Sequence, residues 1–255
     1  MTFRPVLVAA LCLGSLAASQ RPDGSPKRYR VDLKTSVTQD LTAIGQGPQK
    51  QAFANTAFVT LTSHDSAGGQ AVILVLDSLL PGEGSPLPPD SAKAASGVTW
   101  RGFRAQSGRV NNLQTESESM MVGAIEPALE QLFPPMRAGT GAGQSWTDTT
   151  DANNNGVAIR TVTNFLTASD SVGGMKVIRL AGAFSSAMSG EQQGPQGTLN
   201  IDGTGTGMTT WVVAGDGTCL SSKHSASQKI SVTMANIPEP IPVTVTSEGS
   251  ATLLR

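Results

Sequence analysis

The residues of this chain with the clearest metal-ligand spacing are Asp151-Ala152-Asn153-Asn154-Asn155-Gly156. They fit D-x-[DN]-x-[DN]-G, the first half of a calcium loop, with oxygen ligands at alternate positions and a glycine where the loop must turn. Asp148, Asp151, Asn153 and Asn155 would be the ligands of a weak calcium site. The twelfth position is Val162 instead of a bidentate glutamate, and the alternative is an Asn-Gly hairpin turn between strands at 145–149 and 157–166. Both histidines read as exposed turn residues: His64 beside Asp65, and His224 in the polar stretch SSKHSASQK. The chain has no H-E-x-x-H, C-x-x-C, G-x-S-x-G or S-x-x-K, so neither a zinc site nor a serine nucleophile is indicated. The glycine-rich run 202–207 (DGTGTG) precedes a strand and not a helix, so it lacks the helix N-terminus that a phosphate loop needs.

A second kind of chemistry, apolar binding, could come from residues 116–146, the one long stretch with helical periodicity. Met121, Ile125, Ala128, Leu129 and Leu132 recur at steps of three and four on one face of a helix over 116–133. Pro127 interrupts it, which predicts a kink or a second helix beginning there. With Met120, Met121, Ile125, Leu129 and Phe133 turned toward a concave sheet, flexible methionines would suit an adaptable apolar pocket. The competing reading is a filled core.

The elements that must position these residues begin after an export signal. Residues 1–19 carry Arg4, an apolar run at 6–16 and small residues before Gln20, the pattern of a cleaved signal peptide. The run is shorter than the roughly 20 residues of a spanning helix, so the mature chain is expected to be secreted or periplasmic with no transmembrane segment. Without Arg4, 17 basic residues face 19 acidic ones, which gives no electrostatic reason for a nucleic-acid partner. Only Cys219 then remains, so no internal disulfide forms and stability rests on a core. Aromatics are 4% of the chain, with a single tyrosine, too few for a carbohydrate-binding platform.

Plentiful Thr, Val, Ser and Gly in short alternating stretches predict a mainly β, β-rich α+β protein. Strands are expected at 29–38, 53–62, 70–80, 98–105, 109–114, 145–149, 157–166, 176–184, 207–214, 219–223, 229–235 and 243–254, the last of them near an edge. Loops are expected at 81–96, with four prolines, and at 185–197. Residues 61–73 (LTSHDSAGGQAVI) and 166–178 (LTASDSVGGMKVI) match at eight of thirteen positions. That match predicts an internal duplication. The expected organisation is a flexible stretch at 20–28 and one domain at 29–255, with similar halves at 29–115 and 145–255 as curved antiparallel sheet packed on the central helix.

Leu132-Phe133-Pro134, Gly143-Gln144-Ser145-Trp146, Gly205-x-Gly207 and Gly215-Asp216-Gly217 occur in an order that resembles uncharacterised exported bacterial β-rich proteins, over much of residues 29–235. More distantly, an exported curved antiparallel sheet crossed by a helix looks like the LolA-type envelope carriers of lipid and lipoprotein. That resemblance implies an apolar cavity between sheet and helix. The functional expectation is an exported, non-catalytic binding or scaffold module without a cofactor. The second reading is a carrier of an apolar, lipid-like ligand, and the third a weak calcium-binding protein or a hydrolase. A partner would be an apolar small molecule or an envelope protein.

Overall fold

Alternation of apolar and polar side chains builds long strands, and their pairing makes one sheet. A computed structural model describes residues 25–115, 120–137, 139–194, 197–234, 237 and 239–254. The signal segment 1–19 and the helix start at 116–119 lie outside the described residues. In chain order come β1 (Lys27–Asp40), β2 (Pro48–Ser66), β3 (Gly69–Pro81), α1 (Pro89–Ala94), β4 (Thr99–Ala105) and β5 (Val110–Thr115). Then follow α2 (Met120–Glu130), β6 (Ser145–Asn154), β7 (Val157–Val172), β8 (Met175–Gly194), β9 (Gly197–Ala214), β10 (Cys219–Met234) and β11 (Ile241–Leu253). The eleven strands form a single sheet in the order β5-β4-β3-β2-β1-β11-β10-β9-β8-β7-β6, and every pairing among the described residues is antiparallel.

The last strand is therefore central and not near an edge. Tyr29 lies opposite Leu253 and Gln39 opposite Val243, so the two ends of the chain meet in the middle of the sheet. The free edges are β5 and β6, and Arg109, just before β5, reaches Asp148 of β6 at 2.6 Å. The sheet thus curls until its edges face each other, joined there by side chains and not by a backbone ladder.

Several sequence expectations change. The proline-rich stretch contains α1, held by burial of Ala92 against the core. Residues 185–194 and 202–207 continue β8 and β9 without a loop, because backbone pairing, on both sides at 185–190 and 202–207 and with β9 at 191–194, holds stretches with little apolar content. Pro127 neither breaks nor restarts α2, which runs to Glu130; Leu132 and Phe133 follow it in a turn and are buried.

The matched segments are both hairpins, but their turns differ by one residue. In the first, Ser66 opposes Gly69 and only Gly68 of the two turn residues has positive φ. In the second, Val172 opposes Met175 and both Gly173 and Gly174 have positive φ, the type I′ requirement. Leu61 is 9% exposed while its match Leu166 is 56% exposed. The leucines face opposite sides of the sheet, so the likeness between the segments does not carry over to side-chain packing.

Candidate functional site

Register divides the sheet into two faces. Tyr29, Val31, Val59, Leu74, Trp100, Ala251 and, farther round, Leu180 and Trp211 share the face that meets α2. Ile125, Ala128, Leu129, Leu132 and Phe133 are all buried in that core, with Leu129 0% exposed. Of the residues proposed to line a ligand, Ile125, Leu129 and Phe133 are thus taken up by packing, and the side chains of Met120 and Met121 lie outside the described residues. Trp211 Nε1 donates to the Gln131 carbonyl at 2.9 Å, satisfying one of the carbonyls that a helix end leaves free.

α2 packs against β1 and β11 at one end of this face only. Beyond it the same face continues through Phe184, Gly207, Ala226, Ser247, Thr35 and Phe53 as cross-strand neighbours. The next inward positions are Ser186, Gly205, Gln228, Val245 and Val37. Apart from Gly205, which is buried, these residues are half-buried, and Leu33 and Ile230 likewise. A Cβ at Gly207 would lie 2.5 Å from the Phe184 ring, so the glycine lets that ring lie flat on the sheet wall.

His224 belongs to this face and not to an exposed loop. Its Nδ1 is 2.9 Å from Thr209 Oγ1, and its ring stacks on Phe184 at 6.0 Å. Burial lowers its pKa below the ordinary imidazole value. Thr209 is itself buried, which hides the hydroxyl bonded to His224 from an incoming substrate.

At the opposite end of the strands from the bare inner rows, a pocket of about 60 Å³ is lined by Tyr29, Arg104, Asp216 and Cys219 among others. The Tyr29 hydroxyl donates to the Cys219 carbonyl at 2.9 Å, and burial raises the phenol pKa. Arg104 donates through Nε to the Gly108 carbonyl at 3.2 Å, and burial lowers its pKa. Burial pushes the Cys219 thiol up to about 12, so it stays protonated and unreactive. On the other face, a cleft of about 600 Å³ includes Asp32, Lys34, Thr56, Lys223 and Glu248. Two charges of each sign give it no net field with which to select a charged ligand.

The calcium-loop residues form a hairpin. Asn155 and Gly156 both have positive φ between β6 and β7, the Asn-Gly type I′ turn. Asn153 Oδ1 accepts from the Gly156 N–H at 3.1 Å, and Asp148 is paired with Arg109. Asp151 lies in β6 opposite Arg160. Among the described residues, no three His, Cys, Asp or Glu side chains are grouped to hold a metal.

No family model matches the chain, and no curated protein matches it. Solved structures that it resembles include OccAB4 of Acinetobacter baumannii, at 7% identity and TM-score 0.25 over 91% of this chain and 99% of that one. Another is OccK8 (OprE) of Pseudomonas aeruginosa, at 6% and 0.22 over 90% and 98%. A loop L8 deletion mutant of OmpT, an outer membrane protein of Vibrio cholerae, follows at 8% and 0.19 over 91% and 100%. None of these is a LolA-type carrier, and the expected likeness to that family is withdrawn.

Proposed function

We propose that the protein is an exported, non-catalytic binding module that takes an apolar ligand against the part of the inner face beyond α2. The observation that carries this reading is the mismatch between the helix and the sheet: α2 covers one end of the inward face, and apolar side chains continue past it half-buried. A wall of Phe184, Ala226, Ile230, Val245, Val37 and Leu33 offers surface whose burial is worth roughly 25 cal/mol per Å². Among the described residues, the titratable group beside them is His224, whose ring is bonded to the Thr209 hydroxyl and not to a carboxylate that would orient it as a base.

The outward positions support a water-facing protein. Arg28, Arg30, Asp32 and Lys34 of β1 and Lys223, Ser225, Ser227 and Lys229 of β10 alternate with the buried ones. A bilayer-spanning barrel turns an apolar band outward and a polar lining inward, the reverse of this arrangement. No helix among the described residues is long and apolar enough to cross a membrane.

Native mass spectrometry of the chain purified from its host tests the reading, with titration of an environment-sensitive apolar dye as a second readout. A co-purifying apolar mass is expected, with dye binding that Ala226→Trp removes without lowering the melting temperature by more than a few degrees. A bare chain mass together with no dye binding would overturn it.

A further inference from the structure

Arg104, one residue from the end of β4, is a half-buried cation bonded to backbone carbonyls. Its Nε donates to the Gly108 carbonyl at 3.2 Å, and Nη2 reaches the Pro134 carbonyl at 3.5 Å. Those carbonyls belong to segments that touch closely, since a Cβ at Gly108 would lie 2.5 Å from the Met136 backbone nitrogen. The guanidinium is therefore fixed along its Nε/Nη2 edge. A guanidinium carries five N–H donors in a planar fork, so its Nη1/Nη2 end is left for another acceptor. Among the described residues, no carboxylate lies within ion-pair distance of Arg104.

Arg104 lines the pocket of about 60 Å³ at this end of the strands. The other charges on its wall answer each other. Lys27 Nζ donates to Thr218 Oγ1 at 2.7 Å, and Asp216 Oδ1 accepts from the Thr218 N–H at 2.9 Å, so a cation and an anion meet on one residue. Lys27, Arg104 and Asp216 together leave one net positive charge on the wall, and Arg104 carries it. The Tyr29 hydroxyl adds no donor, because its proton is committed to the Cys219 carbonyl. Val72, Leu132 and Phe133 add apolar surface. At roughly 10–15 Å³ for each water-sized group, the pocket has room for about four to six heavy atoms.

We propose that this pocket binds a short-chain monocarboxylate, its two oxygens on the Nη1/Nη2 fork of Arg104 and its alkyl end against Val72, Leu132 and Phe133. Guanidinium and carboxylate match in planar, two-bond geometry, and a group already fixed by its own loop loses little freedom on binding. A single net charge suits a monoanion better than a phosphate dianion. The size admits acetate or propionate and not a fatty acid. The apolar ligand surface proposed above lies at the other end of the strands, beyond α2, so either site can fail without the other.

Saturation-transfer NMR of acetate on the full chain, at fixed ionic strength, tests the proposal. Acetate should receive saturation with a Kd of roughly millimolar, the scale open to a ligand of so few atoms. Propionate should displace it, and inorganic phosphate should compete at least tenfold more weakly. Arg104→Gln should weaken acetate binding at least tenfold. So should Ser63→Leu, which fills the pocket from β2 and leaves the guanidinium and its loop in place; this variant decides the matter if Arg104→Gln does not fold. Ala226→Trp, at the other end of the strands, should leave acetate binding unchanged. No transfer to acetate in the wild type, or transfer that survives Ser63→Leu, would overturn the proposal. So would phosphate competing as well as propionate, which would make the pocket a general anion site.

Discussion

At the scale of single residues, the buried polar contacts decide stability more sharply than any surface charge. Trp211→Phe keeps an aromatic side chain, smaller than the indole, but leaves the Gln131 carbonyl without its donor, the lost donor alone costing about 1–3 kcal/mol. Urea unfolding should show a lower midpoint with an unchanged slope. Cys219, its thiol pushed up to about 12 by burial, should not react with a disulfide reagent at pH 8 in the native state and should react fully once the chain is unfolded. His224 carries a pH signature. Burial holds its folded pKa below the ordinary imidazole value of 6.5, so the unfolded chain binds the proton more readily. The contribution is fully present above 6.5 and is lost as pH falls from there toward the folded value. Glu130, raised by burial and by Glu126, has the opposite sign, its contribution present in acid and lost as pH rises through its folded pKa. The difference between wild type and His224→Gln isolates the imidazole, and their melting temperatures should converge between pH 7 and 5. Sequence placed Cys219 in a strand correctly, because a small apolar residue beside alternating neighbours has few other homes. It misplaced His224, because Ser, Lys and Gln around a histidine read as loop when only a twenty-residue neighbourhood is considered. The ladders to β9 and β11 are what make that stretch a strand.

At the scale of elements, α2 was readable because its apolar positions recur at steps of three and four, and Ile125, Ala128 and Leu129 among them are buried in the core. Leu129, fully enclosed among sheet side chains, should cost about 2–5 kcal/mol when cut to alanine, the transfer of its methyls plus the cavity left behind. Leu129→Asp buries an unpaired carboxylate and should abolish the cooperative thermal transition altogether. Survival of that transition near the wild-type midpoint would show that the sheet stands without its helix. The hairpins mark where sequence stops informing. Eight matches in thirteen residues fix that both segments are hairpins, but the placement of the turn by a single residue is settled by which neighbours each strand must bury. That single step lies below the resolution of the motif. β8 and β9 make the same point over a longer span, since Ser185–Gly194 and the glycine run are held by the strands paired beside them and not by any apolar pattern of their own.

At the scale of the whole molecule, the decisive feature is the seam between β1 and β11, which no local pattern announces. It joins residues from opposite ends of the chain, Tyr29 opposite Leu253, while all other pairings link strands consecutive in sequence. A circular permutant should therefore be well tolerated: a short linker from the end of β11 to the start of β1, with new termini in the segment between α2 and β6. Its strands would follow one another around the sheet from β6 through β11 to β1 and β5, with α2 last. Every seam would then be a local hairpin, and the pairing with the longest sequence separation would vanish. Folding rate falls as the mean separation of contacts rises, so the permutant should fold faster than the natural chain in stopped-flow refolding. It should unfold at a similar rate and show a melting temperature within a few degrees, because native contacts other than the moved connection are the same. A permutant that folds no faster would mean that the β1–β11 seam forms after the rate-limiting step. A permutant that does not fold would mean that the link between α2 and β6 is itself required to curl the edges toward each other.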